Sequence, residues 1–374
     1  MIYKNFQGLA LSALGLGTMR FPTVDGDNSK IDEKATEEMF DYAIEHGINY
    51  FDTAWGYHGG QSELVTGKML SKYPRDKFYI ASKFPGYDTA NLKKIPEIFE
   101  RQLEKCRVGY FDFYLVHNVC ESNIDAYLDP QYGLYDYLLS QKEQGRIKHL
   151  GFSVHGNLET TKRFLAVYGK AMEFCQVQLN WIDFDFQSAN DKLDLLSEWN
   201  IPGWVMEPLR GGKLAKLDEK YARELAALRP NESIPGWAFR YLQSFETVTV
   251  TLSGMSNMTQ LTENIKTFET EEPLNAKEIE TLYRIAAHMT SAVPCTACRY
   301  CTEKCPMELD IPNLIGLYNE HTFTDGGFIA PMALGALPED KRPSSCLACR
   351  ACEAVCPQSI KISEVFEDFN KRLK

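Results

Sequence analysis

Eight short, nearly continuous apolar runs recur along the first 270 residues, and each is followed by a stretch of helical period. The runs are ALGLG (Ala13–Gly17), NYFDTA (Asn49–Ala54), FYIASKF (Phe78–Phe84), DFYLVHN (Asp112–Asn118), HLGFSVH (His149–His155), FCQVQLNW (Phe174–Trp181), GWVMEPL (Gly203–Leu209) and TVTVTLSGM (Thr247–Met255). Apolar character without alternation marks strands buried on both faces. Between them the period changes. In DEKATEEMFDYAIEHG, Ala35, Met39, Phe40, Ala43 and Ile44 share one face, with Asp32 as N-cap and Gly47 as stop. In LKKIPEIFERQLEKC the face is Ile95, Phe99, Leu103 and Cys106. This alternation predicts an α/β chain folded as a (β/α)8 TIM barrel, with a doubly wound sheet as the alternative. Asn275–Met289 reads as a closing helix.

The predicted strands end in polar residues, and in such a barrel chemistry sits at the strand C-termini. Asp52 ends the second, with Tyr57 five residues on; Lys83 ends the third, His117 the fourth, Ser153 the fifth and Glu207 the seventh. Any one of these alone reads as structural, a helix cap or a satisfied polar group. Their coincidence on consecutive strands does not.

Together, FDTAWGYHGGQSE, SKF, LVHN and ENI resemble the aldo/keto reductase superfamily over residues 1 to about 285. The resemblance implies a barrel that moves hydride from a nicotinamide to a carbonyl, with a catalytic tetrad at Asp52, Tyr57, Lys83 and His117. A phenol is a poor acid at neutral pH, so Tyr57 needs a neighbouring cation to favour its ionised form. Lys83 supplies the charge, Asp52 holds the ammonium, and His117 hydrogen-bonds the substrate carbonyl.

The same resemblance implies dinucleotide contacts at Gly17, Thr18, Ser153, Gln176, Pro208 and Leu209. Gln176 is the choice for the nicotinamide amide, with Gln178 close behind. Relatives that prefer NADPH usually place Lys or Arg in the segment that is SGMSNMTQLTEN here, to bind the 2′-phosphate. This chain offers Ser253, Ser256, Asn257 and Gln260 and no cation there, with Glu263 and Asn264 in family positions facing an adenine. NADP, NAD and no nicotinamide at all stay open on this reading.

The last part of the chain repeats itself. Cys295, Cys298, Cys301 and Cys305 have the spacing C-x2-C-x2-C-x3-C before Pro306, and Cys346, Cys349, Cys352 and Cys356 repeat it before Pro357, 51 residues on. Ala297 matches Ala348, Arg299 matches Arg350, Ile311 matches Ile362 and Asn319 matches Asn370. This is an internal duplication.

The run resembles the bacterial ferredoxin motif, in which the fourth cysteine serves the other cluster. That implies two [4Fe–4S] clusters, one on Cys295, Cys298, Cys301 and Cys356, the other on Cys346, Cys349, Cys352 and Cys305. Zinc sites and disulfides are the alternatives, but structural zinc more often uses paired C-x2-C knuckles from separate loops. DIPNLIGLYNEH reads as a helix capped by Asp310 with Pro312 in its first turn, and SEVFEDFNKRL as its counterpart. TFTDGGFIAPMALGALPEDKRPS reads as a loop. The region thus resembles a mainly helical ferredoxin-like domain. Cys106, Cys120 and Cys175 read as small buried apolar groups.

The expected organisation is a barrel over 1–288 and a cluster domain over 289–374. A net charge of −11 argues against a nucleic-acid partner. GLALSALGLG lacks the length and cleavage site of a signal peptide, and no stretch reaches the ~18 apolar residues of a membrane span. The chain reads as cytoplasmic, where cysteine clusters more often mean metal than disulfide. The expected activity is reduction of a small carbonyl compound with electrons from a nicotinamide, a ferredoxin or a flavoprotein. The alternative is an electron-transfer subunit whose barrel docks or senses without nicotinamide turnover.

Overall fold

The computed structural model describes residues 1–186, 188–290 and 292–374, which divide into two compact units, Met1–Ile279 and Glu280–Lys374. In the first, strands β1 (Tyr3–Phe6) and β2 (Leu9–Ser12) pair antiparallel. Strands β3 (Leu14–Gly17), β4 (Tyr50–Asp52), β5 (Tyr79–Phe84), β6 (Phe111–Val119), β7 (Ile147–Val154), β8 (Phe174–Gln178), β9 (Gly203–Met206) and β10 (Val248–Gly254) follow. These eight close a parallel barrel in the order β10-β3-β4-β5-β6-β7-β8-β9. Closure is made by β10 on β3, with Thr251 opposite Leu14 and Gly254 opposite Gly17. That ring excludes the doubly wound sheet. Each strand falls within or close to one of the eight apolar runs.

The β1–β2 hairpin has no counterpart among the sequence expectations. Its turn is Gln7–Gly8, both at positive φ (50° and 89°), as a two-residue type I′ turn demands. Phe6 and Leu11 join Tyr50, Ala81, Phe113, Leu115, Phe174, Trp204, Val250 and Leu252 in one buried cluster inside the barrel. The hairpin is therefore part of the core.

Helix Glu33–Glu45 starts where Asp32 accepts a hydrogen bond from the Ala35 N–H at 3.0 Å, and it buries Thr36, Met39, Phe40 and Ala43. Helix Ile95–Cys106 buries its apolar face and also Gln102 and Lys105. It meets helix Ser62–Leu70 at Gly67, where a Cβ would lie 2.5 Å from the carbonyl group joining Lys105 and Cys106. Only glycine lets the two helices approach so closely. Cys106, Cys120 and Cys175 are all buried.

In the second unit the longest helices wholly within it are Ile311–Thr324, Ile329–Gly335 and Ile362–Arg372. Leu309, Ile311, Leu314, Ile315, Ala330, Leu334, Ile360, Ile362, Phe366 and Phe369 form its core with Cys301 and Cys352. Two expectations change. The segment read as a loop contains helix Ile329–Gly335, whose Pro331 lies in the first turn, where a missing N–H is tolerated. Asp310 occupies the N-cap position of its helix but makes no capping bond, because its carboxylate turns to Arg299, 3.0 Å away. No helix among the described residues is long and apolar enough to cross a membrane.

The close approach at Gly67 is testable. Gly67→Ala meets backbone, which cannot swing aside, so the barrel is expected to lose about 1–3 kcal/mol, read from urea unfolding followed by far-ultraviolet circular dichroism.

Candidate active site and cluster-binding loops

At the C-terminal ends of β4, β5 and β6 the structure gathers Asp52, Tyr57, Lys83 and His117. Lys83 is nearly inaccessible, 1% exposed. Its Nζ donates to Asp52 Oδ1 at 2.5 Å and to the Thr53 carbonyl at 2.8 Å, and it lies 3.4 Å from the Tyr57 hydroxyl. Burial pulls against the ammonium, but Asp52 and then Tyr57 outweigh it, and the Lys83 pKa is raised. The lysine keeps its charge in a nearly water-free place because Asp52 faces it.

Tyr57 behaves differently from the sequence expectation. Burial raises its phenol above the ordinary value, and the Lys83 cation offsets this only in part, while Asp52 and Glu207 push the same way as burial. The hydroxyl therefore keeps its proton at neutral pH. His117 stands beside it, with ring centroids 6.1 Å apart and edge to face. Burial lowers the His117 pKa well below its usual value, helped by Lys83 and His155. It is a neutral imidazole, and its buried Nδ1 has no hydrogen-bond partner.

Supporting groups hold this arrangement. His58, at φ 53°, accepts from the Phe21 N–H at Nε2 (3.1 Å) and donates from Nδ1 to the Asn28 carbonyl (2.7 Å), which pins the loop carrying Tyr57. Behind Lys83, the Gln102 amide donates to the Lys83 carbonyl at 3.0 Å, to Glu63 at 2.7 Å and to Ser82 at 3.0 Å. Glu63, fully buried, also receives Lys105 at 2.6 Å. Glu63 lies in the run quoted above, but Gln102 and Lys105 come from a different helix, so no local pattern pointed to them.

The expected dinucleotide residues divide into groups. Gly17 ends β3 beside β10, where a Cβ would come within 3.4 Å of the Ser253 carbonyl oxygen. Thr18 is buried and its hydroxyl meets Ser62 at 2.6 Å. The Ser153 hydroxyl accepts from the Asn118 N–H at 2.7 Å. Gln176 donates its amide to Asp52 Oδ2 at 2.5 Å, so it is tied into the tetrad; Gln178 turns instead to Asp183. Pro208 and Leu209 sit in a turn where Glu207, Arg210, Gly211 and Gly212 all have positive φ. Asn264 is buried and donates to Ser253 Oγ at 3.1 Å. Ser256, Gln260 and Glu263 are exposed, and the Ser256 N–H donates to Gln260 Oε1 at 2.8 Å.

One cation was missed because it comes from the far end of the sequence. Arg20 lies over the end of β10, its methylenes 3.2 Å from where a Gly254 Cβ would stand, and its guanidinium is 3.6 Å from Glu207.

In the second unit the duplication extends to the backbone. Ala297, Arg299 and Glu308 have positive φ, and so do their counterparts Ala348, Arg350 and Ser359. Two hollows open between the loops. One is lined by Cys295, Cys298, Cys301 and Cys356. The other is lined by Cys305, Cys346, Cys349 and Cys352. Each takes three thiols from one copy and the fourth from the other. Among the described residues no set of three His, Cys, Asp or Glu side chains is gathered for a single metal ion.

A closed parallel barrel with a buried lysine–carboxylate pair against a phenol and a neutral imidazole defines a barrel oxidoreductase. Comparison with known proteins gives the particular family. The model for the aldo/keto reductase family matches residues 13–287, and that for a 4Fe-4S dicluster domain matches 294–360. The chain belongs to the aldo/keto reductase family and carries an iron–sulfur domain after its barrel. It is 30% identical over 183 residues to a probable aldo-keto reductase of Glycine max, covering 47% of this chain and 49% of that one. It is 25% identical over 223 residues to the NADH-specific methylglyoxal reductase of Escherichia coli, covering 55% and 66%. The chain thus spans about half to two thirds of the length of these relatives. The holo form of the aldo-keto reductase AKR11C1 from Bacillus halodurans superposes with a TM-score of 0.61 at 23% identity, covering 76% of this chain and 96% of that one.

The charge balance at Tyr57 has a measurable consequence. Its phenol is expected to ionise above the ordinary tyrosine value, and K83M to move it higher still. Ultraviolet difference titration against Y57F reads both; a downward move in K83M would contradict the assigned role of the lysine charge.

Proposed function

We propose that this chain is an iron–sulfur-dependent reductase of small carbonyl compounds, with residues 1–288 holding the carbonyl and a nicotinamide and 289–374 holding two [4Fe–4S] clusters. The observation that carries the first part is the Lys83 ammonium, bound to Asp52 at 2.5 Å and 3.4 Å from the Tyr57 hydroxyl, beside a neutral His117. Tyr57 gives its proton to the carbonyl oxygen, and the Lys83 charge stabilises the phenolate left behind. His117, being neutral, orients the carbonyl by a hydrogen bond without competing as an acid. A bound nicotinamide supplies the hydride. Gly17, Thr18, Ser153, Gln176, Pro208 and Leu209 would hold it toward the tetrad, and Ser256, Gln260, Glu263 and Asn264 would face its adenosine end. Arg20 supports this reading, since it brings to the end of β10 the positive charge that the 253–264 segment lacks. NADH and NADPH both fit that placement.

Clusters held there would supply single-electron transfer, which suits a ferredoxin or a flavoprotein as partner in a cytoplasmic setting. Cys295, Cys298, Cys301 and Cys356 hold one cluster; Cys346, Cys349, Cys352 and Cys305 hold the other. The two thiol-lined hollows support that crossing.

Y57F is expected to lower carbonyl reduction by ~10²–10⁴-fold with NADH or NADPH, measured by steady-state oxidation of the dinucleotide; unchanged turnover sinks the assignment. For the clusters, C356S and C298S are expected to leave the same residual paramagnetic signal after anaerobic reduction, distinct from that of C349S. A C356S spectrum that matches C349S would show that each copy binds its own cluster.

A further inference from the structure

The two cysteine loops are alike in backbone and unlike in charge. Arg299 and Arg350 have φ of 66° and 60°. Asp310 and Lys361, each at the N-cap of the helix that follows its loop, have φ and ψ of −75° and 74° and of −83° and 73°. Lys361 therefore stands in the second copy where Asp310 stands in the first. The hollows repeat as well: Arg299, Pro312 and Ile315 line one, and their counterparts Arg350, Ser363 and Phe366 line the other.

In the first copy the arginine is neutralised, because its guanidinium lies 3.0 Å from Asp310. In the second copy the same backbone place holds an ammonium. Among the described residues neither Arg350 nor Lys361 has an ion-pair partner, and both are exposed. Glu353, the carboxylate of that loop, accepts instead from the Ser363 N–H at 2.9 Å and from the Ser363 hydroxyl. Over residues 294–310, Glu303, Glu308 and Asp310 outnumber Arg299 and Lys304; over the matching 345–361, Arg350 and Lys361 outnumber Glu353. A cation at a helix N-terminus works against the helix dipole, so Lys361 does not serve its own helix.

Leu347 adds an apolar point to this charge. It lines the same hollow as Cys349 and Arg350, yet it is 64% exposed, more than any other large apolar side chain described. Its counterpart is Thr296. The first loop exposes Cys298 and Tyr300 in turn, so what sets the second apart is its charge.

We propose that the Cys346–Cys352 loop together with Lys361 is the docking face for an acidic one-electron carrier protein of the ferredoxin class, with Arg350 and Lys361 meeting its carboxylates around a contact at Leu347. This rests on the reading of 289–374 as a cluster domain given above. A chain of net charge −11 repels an acidic partner as a whole. A local basic face overcomes that repulsion and fixes the orientation of docking.

The probe is an oxidised, acidic 2[4Fe–4S] ferredoxin, titrated calorimetrically and without oxygen into full-length holoprotein. At about 0.1 M salt, charges more than about 10 Å apart are largely screened. Wild type is expected to bind the probe there and to bind it more weakly as salt is raised. K361D and R350E are each expected to weaken binding at least about 10-fold, and L347S to weaken it without altering its salt dependence. K371E makes the same charge change at the other end of the helix, about 15 Å away by helical rise, and is expected to bind like wild type. No binding by wild type, unchanged binding in K361D and R350E, or equal losses in K361D and K371E overturn the docking face. So do Lys361-dependent binding of an acidic flavodoxin but not of the ferredoxin, and a Lys361-dependent dimer of this chain in sedimentation. Binding that depends on Lys361 in protein that holds no iron leaves the face standing and overturns the cluster reading instead.

Discussion

A single ion pair organises the barrel's chemistry. The side chains of Lys83 and Asp52 are 1% and 4% exposed, so neither charge has water to fall back on. Removing one partner of such a pair costs about 3–5 kcal/mol, because the other is left buried and uncompensated. Each atom around them fits that requirement: the Thr53 carbonyl takes a second ammonium proton, and Gln176 covers the second Asp52 oxygen. The lysine charge then acts on Tyr57 at short range in a low-dielectric setting, where it moderates a phenol that burial alone would hold even more firmly protonated.

The barrel was legible because its strands are buried on both faces and so stand out as unbroken apolar runs. The β1–β2 hairpin was not. Its turn is Gln7–Gly8, a weaker hairpin signal than Asn-Gly, and LALS merges with the apolar run that begins β3. Helix Ile329–Gly335 was hidden by flanking glycines and by Pro331, which reads as a breaker until its place in the first turn is known. Asp310 shows the limit of local capping rules: the residue type and position suit a cap, but a guanidinium reaching over from the cysteine loop takes the carboxylate.

At the site, legibility followed the strands. Asp52, Lys83 and His117 stand at strand ends, where one-dimensional position translates directly into three-dimensional neighbourhood. Arg20, Gln102 and Lys105 are on helices or turns whose partners are remote in sequence, so their placement needed coordinates. The cysteine loops are the opposite case. Their spacing fixes three thiols per loop, and the duplicated positive-φ residues Ala297 and Ala348, Arg299 and Arg350 fold both loops alike. The crossing of Cys305 and Cys356 between hollows was implied by resemblance, and the same crossing appears in the packing.

The seam at Gly67 reaches further than helix packing. Gln102 and Lys105 lie on one side of it and Glu63 on the other, and Gln102 grips the carbonyl of Lys83 itself. The distance between two outer helices thereby acts as a gauge for how deep the ammonium stands in the barrel. Retuning the charge that faces the Tyr57 phenol would begin on the barrel's outer wall.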